Sequence, residues 1–245
     1  MKELFKSGAS LFGKLIVINV MCLFLVISFT VIFTGLFTEN VGYVATGTKE
    51  GSETSEELYT HFYSDGEDVL LKEYEAKGYT VSQTELRSEF TKKQNIACLT
   101  LTQVFCLVLM ISFIYPSYWH KGTNDSNLVR FKHKSEDILK GLKSGLIAVT
   151  PSVLFLLFLS VVRIKFSTAF PVVLYRFMNS STYSFIFVLT DGKATFGEIG
   201  ALNLVLMFLP LFIPVVVSAL SYYLGYKNIS IGDKILYKKN KTEKK

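Results

Sequence analysis

Asn19, Gln103 and Asn203 are amides set in long apolar stretches of this 245-residue chain, with Thr150 and Ser152 in a third such stretch. In hydrocarbon such groups either pair across helices or offer hydrogen bonds to an uncharged solute, and pairing is the commoner use. Gln103 and Asn203 fall at similar depth, within reach of a bond to each other. No Asp, Glu, His, Lys or Arg lies in any of four runs, Leu15 to Phe37, Asn95 to Tyr118, Ser144 to Val162 and Ile199 to Tyr226. Proton relays and ion pathways need buried ionisable groups, so a carboxylate relay is disfavoured. His61, His120 and His133 stand outside the runs, no H-E-x-x-H or C-x-x-C occurs, and Cys22, Cys98 and Cys106 lie inside them as small apolar residues. No catalytic, metal-ligating or cofactor-binding residue is assigned, no cofactor is expected, and the chain is not expected to be an enzyme. Asp65, Glu67 and Asp68 around Gly66, near His61, do not follow the calcium-loop spacing and read as a solvated helix junction.

The cations divide into two candidate anion or headgroup contacts. Arg163, Lys165 and Arg176 follow the third run; Lys234, Lys238 and Lys239 lie in the carboxyl-terminal tail. Each Lys near an anionic leaflet is worth about 1 kcal/mol, so the tail is expected to lie on anionic lipid. Pro151, Pro210 and Pro214 each remove an intrahelical hydrogen bond and are candidate kinks, with packing weighed above gating. Gly141 and Gly145 form G-x-x-x-G, but flanking Lys140 and Lys143 weaken its use as a dimer motif.

The elements that carry these residues follow from the four runs, each near or above the roughly 20 apolar residues that cross a bilayer as a helix. The net charge of +6 is sorted by segment rather than spread over a nucleic-acid-binding face. Thr38 to Gln94 holds twelve carboxylates against six basic residues, whereas both termini and the segment after the second run are basic. Basic segments stay on the cytoplasmic side. The expected order is a cytoplasmic tail (1–14), transmembrane helix 1 (15–37), an extracytoplasmic acidic helical cap (38–94), helix 2 (95–118), a cytoplasmic basic loop (119–143), helix 3 (144–162), an extracytoplasmic segment (163–198), helix 4 (199–226) and a cytoplasmic basic tail (227–245). The fold class is an all-α integral membrane protein, a four-helix bundle with a small helical cap. Both termini are expected inside, in a plasma membrane whose Lys-, Ile- and Phe-rich usage suits a bacterium. The first run is longer than a signal peptide's apolar core and reads as a retained anchor.

Residues 166–190 test the count. As a fifth span they would place Arg176 near the bilayer centre, at about 2.5 to 3.5 kcal/mol, and would put the basic tail outside. Two interfacial helices, or a re-entrant hairpin turning at Asn179 to Ser181, fit better. In the cap, Gly42, Gly47 and Gly51 read as flexible loop, Thr54 to Glu57 and Ser82 to Glu85 as capping boxes, and Glu67 to Lys77 as a helix closed by Gly78. Gly122 to Asn127 reads as a polar turn. These features suit a non-enzymatic accessory, assembly or sensory component working through a membrane-protein partner or a second copy, in contact with lipid and not with nucleic acid. A small transporter or channel component without a relay carboxylate is the alternative.

Overall fold

The computed structural model describes residues 2–49, 55–66, 68–133, 135–162, 170–193 and 195–230. Four helices are long and apolar enough to cross a membrane. They are α1 (Lys2–Phe37), α3 (Lys92–Arg130), α4 (Lys140–Val162) and a broken fourth made of α7 (Ala201–Leu206), α8 (Phe208–Leu211) and α9 (Ile213–Tyr226). Their outward faces carry exposed Phe24, Val108, Phe158, Val161 and Leu220, an apolar surface that only lipid or a partner would cover. The chain divides into two compact units, Ser28–Cys98 and Met1–Ile27 with Leu99–Lys245.

The Ser28–Cys98 unit corrects the expectation of an all-α chain with a helical cap. It holds a three-stranded antiparallel sheet in the order β2-β1-β3, formed by β1 (Asn40–Lys49), β2 (Ser55–Phe62) and β3 (Tyr79–Arg87). Glycines 42 and 47 belong to the central strand. A Cβ on Gly42 would lie 2.0 Å from the His61 carbonyl oxygen, and one on Gly47 would meet Leu58 and Tyr79. These glycines admit close neighbours rather than flexibility. Glu57 pairs with Thr46, and Ser82 and Glu85 sit in β3, so neither supposed capping box starts a helix.

The helix expected near Glu67 to Lys77 is present as α2 (Val69–Ala76), followed by Gly78 at φ 81°. Asp68 caps it by accepting from Leu71 N–H at 3.1 Å, and the same carboxylate accepts from the hydroxyls of Tyr43 and of Tyr59, the latter at 2.7 Å. The junction expected to be solvated therefore holds, at Asp68, a clasp joining β1, β2 and α2, while Glu67 lies outside the described residues, and no group of three or more metal-ligating side chains occurs among the described residues. Partial burial opposes ionisation of Asp68, but the two hydroxyls and the Leu71 N–H outweigh it and hold the carboxyl below its ordinary value. A lowered native pKa means that this stabilisation is fully present above the usual Asp value of about 3.9 and is lost as pH falls through the native value. Asp68→Ala is expected to destabilise this unit by about 1 kcal/mol, a typical cap loss. The difference should vanish in strong acid, as read by hydrogen exchange of β1 and α2.

In the other unit, α1 buries Leu11, Leu15, Ile18, Cys22 and Val26, a stripe spaced three and four apart. It packs with Cys106, Met110, Ile114 and Tyr118 of α3, Ala148 and Val149 of α4, and Val215 and Tyr222 of α9 in one core. A second core joins Leu156 and Leu159 of α4 to Val172 and Tyr175 of α5 (Phe170–Met178), Ile186 of α6 (Tyr183–Leu189), and Leu204, Met207 and Leu211. Gly141 and Gly145 face α9 of the same chain, where added Cβ atoms would lie 2.5 Å from Tyr222 Cβ and from Ser218 Oγ respectively. The G-x-x-x-G pair thus serves internal packing. The turn expected at Gly122 to Asn127 is absent: α3 continues to Arg130 and reverses beyond Phe131, with Lys132 at φ 60°. Gly122 is needed there for close approach, since its Cβ would stand 2.2 Å from Tyr222 O.

Candidate functional site

Between α4 and the broken fourth helix, the described chain makes a short helical hairpin. Its legs are α5 and α6, and its tip is Asn179 with a single 3₁₀ turn over Ser180–Thr182. All four tip residues are buried. The backbone satisfies itself locally: Thr182 N–H donates to Asn179 O at 2.9 Å, and Asn179 N–H to Tyr175 O at 3.2 Å. Side chains complete the turn, with Asn179 Nδ2 donating to Tyr175 O, Ser180 Oγ to Phe177 O and Thr182 Oγ1 to Asn179 O. Two further bonds reach other helices. Ser181 N–H donates to Asn19 Oδ1 of α1 at 3.0 Å, and Gln103 Nε2 of α3 donates to Ser181 O at 2.9 Å.

Asn19 and Gln103 both lie inside uncharged runs, so the tip meets α1 and α3 within their apolar stretches. Such backbone is tolerated there only when protein covers it. A Gln103 to Asn203 bond does not form: Gln103 is turned to the hairpin, and Asn203 is half-buried on α7. Arg176 is buried within the hairpin, donating from Nη2 to Thr190 Oγ1 and to Lys193 O at 2.8 Å, with its guanidinium over the Phe187 ring at 5.2 Å. It fastens one leg to the end of the other. Arg163, Lys165, Lys234, Lys238 and Lys239 lie outside the described residues.

Beside the tip lies a cavity of about 400 Å³, lined by Asn19, Ser152, Asn179, Ser181 and Thr182 among apolar side chains that include Leu15, Ala148, Pro210 and Pro214. The prolines explain why the fourth span is broken. Pro214 opens α9 at a position where a missing N–H costs nothing, and Phe212 N–H reaches back only three residues, to Leu209 O. α4, by contrast, runs unbroken past Pro151, whose ring is exposed.

A second polar cluster was not foreseen from sequence. Asp125 near the end of α3 accepts from Lys140 Nζ at 2.7 Å and from Tyr222 OH at 2.8 Å, and Tyr226 OH donates to Glu136 at 3.2 Å. The Asp125 and Lys140 side chains are only 11% and 15% exposed. One signal was available: Asp125 is the sole carboxylate between Glu89 and Glu136. The cluster closes a small space of about 150 Å³. Every strong donor in it is matched to an acceptor, which is the arrangement of a clamp.

Comparisons with protein-family models, with curated proteins and with solved structures return no match to this chain.

Proposed function

We propose that this protein is a multi-pass membrane protein that binds an uncharged, mainly apolar molecule within the bilayer and acts as a small transporter or channel component. The cavity beside the hairpin tip carries this reading. It offers amide and hydroxyl hydrogen bonds without a charge, at the place where prolines interrupt the fourth span. Pockets of about 300 to 1,000 Å³ with a few polar groups are typical of small-molecule sites. Nothing in the runs supplies a proton relay, so movement would follow the solute's own gradient. On this reading the basic ends face the cytoplasm and the Ser28–Cys98 unit faces outward.

Ser152 lines the cavity from α4 and takes no part in the bonds that hold the tip. Overfilling by Ser152→Phe should cost bound solute about 1 to 3 kcal/mol, or roughly 5- to 150-fold in occupancy. Vesicles containing the purified chain should pass some members of a panel of neutral solutes, and the variant should pass them correspondingly more slowly. No flux across the panel, or equal flux from both proteins, would refute the proposal.

A second reading keeps the protein as an accessory or sensory component working through a partner. It is supported by the sheet, whose β2 and β3 are edge strands and whose Thr60, Ser82 and Thr84 are exposed. Edge strands can accept a partner's strand. In cells, the two readings separate on removal of residues 40–87: loss of function with vesicle flux retained favours the partner.

A further inference from the structure

Gln103 uses only half of its amide on the hairpin. Its Nε2 is bonded to Ser181 O, while Oε1 is buried with no hydrogen-bond partner. Ser184, in the first turn of α6, has a buried Oγ in the same condition. The two residues are 6% and 5% exposed. Both line a single groove of about 690 Å³, distinct from the Asn19 cavity, whose walls are otherwise almost wholly apolar and include Val104, Val188, Leu206 and Leu209.

Two orphaned polar groups in one apolar groove define what would complete them. In hydrocarbon no water is at hand to do so. Gln103 Oε1 can only accept, so its partner must bring an O–H or N–H; Ser184 Oγ can donate or accept. Phospholipid acyl chains match the walls, but their ester oxygens are acceptors and leave Gln103 Oε1 unpaired. A chain ending in a hydroxyl brings the chemistry both lack: an O–H for Gln103 Oε1, an oxygen for Ser184 and methylenes for the valine and leucine walls. We propose that this groove binds a long-chain alcohol, a hydroxyl-terminated membrane amphiphile. The proposal stands whether or not the Asn19 cavity passes a solute.

The test uses the full chain in phosphatidylcholine nanodiscs with hexadecanol carrying a mid-chain diazirine. Photolabelling should map to 99–107 and 184–189, and unlabelled hexadecanol should compete about fivefold better than its methyl ether, the factor expected for one neutral hydrogen bond. Gln103→Leu should abolish that preference. Because this variant also loses the Ser181 bond, Ser184→Ala provides the second arm. It should reduce the advantage of hexadecanol over hexadecane by about fivefold while leaving the unfolding temperature unchanged. Equal competition by alcohol and ether, label spread over all helices, or an unaltered advantage in Ser184→Ala would overturn the proposal. Flux measured on the same variants is a separate readout, so failure here leaves the transport proposal to its own test.

Discussion

Lys140→Met is expected to destabilise the unit that holds the four long helices by about 3 to 5 kcal/mol, the cost of breaking a buried ion pair from one side. Asp125 would lose a cation at 2.7 Å while still accepting from the Tyr222 hydroxyl, and Glu3 would lose its contact with Lys140 Nζ at 3.8 Å. The sign of the effect depends on removing one charge and not the other. Replacing both, Asp125→Leu with Lys140→Met, should recover most of the loss, because apolar pairs often substitute for buried ion pairs without penalty. Denaturant unfolding in detergent measures all three proteins. A loss under about 1 kcal/mol for the single variant, the size of a surface pair, would mean that water reaches Asp125.

The second large effect is expected at Gly225. Where α9 passes α3, a Cβ on Gly225 would lie 2.0 Å from the Trp119 carbonyl oxygen, and one on Gly122 would lie 2.2 Å from Tyr222 O. Both obstacles are backbone, which cannot swing aside. Gly225→Ala therefore has to push one helix away, straining the Thr123 Oγ1 bond to Gly225 O at 3.1 Å and the Trp119 Nε1 bond to Ile229 O at 2.8 Å. Overpacking of this kind costs about 1 to 3 kcal/mol, sometimes more. Gly13→Ala is the internal control: nothing stands within 4 Å of its Cβ. It should be neutral or gain up to about 1 kcal/mol from helix propensity. Thermal unfolding of the two variants side by side decides the matter, and equal midpoints would disprove the close approach.

The four long apolar helices could be read from sequence because the signal is additive. Twenty-odd residues without a charge permit few alternatives, whereas Arg176 argued only against a fifth span and left residues 166–190 open between interfacial helices and a hairpin turning at Asn179 to Ser181. The sheet was obscured because its strands carry misleading punctuation. Ser82 and Glu85 have the spacing of a capping box, yet the alternation of Thr80, Ser82 and Thr84 with Val81 and Gln83 is strand-like and could have outweighed it. α2 was legible because Asp68 and Gly78 mark its two ends locally. Gly122 was misread for a different reason: a glycine before polar residues looks like a turn until the helix that crosses it is known. The site was half visible. Asn19 and Gln103 stood out as amides in apolar runs, but their meeting point, Ser181, lies 162 residues from one and 78 from the other, a separation that no local pattern encodes.

The hairpin tip also bears on the order in which the protein can be built. Ser181 is satisfied from both sides by groups that precede it in the chain, Asn19 and Gln103. Both helices leave the ribosome before the hairpin does. The tip therefore forms when its two partners already exist, and the second half of the chain uses the first as its template. Synthesised alone, residues 140–230 would hold the Ser181 N–H and C=O with neither Asn19 nor Gln103 in place. Supplying the first half as a separate polypeptide would restore them.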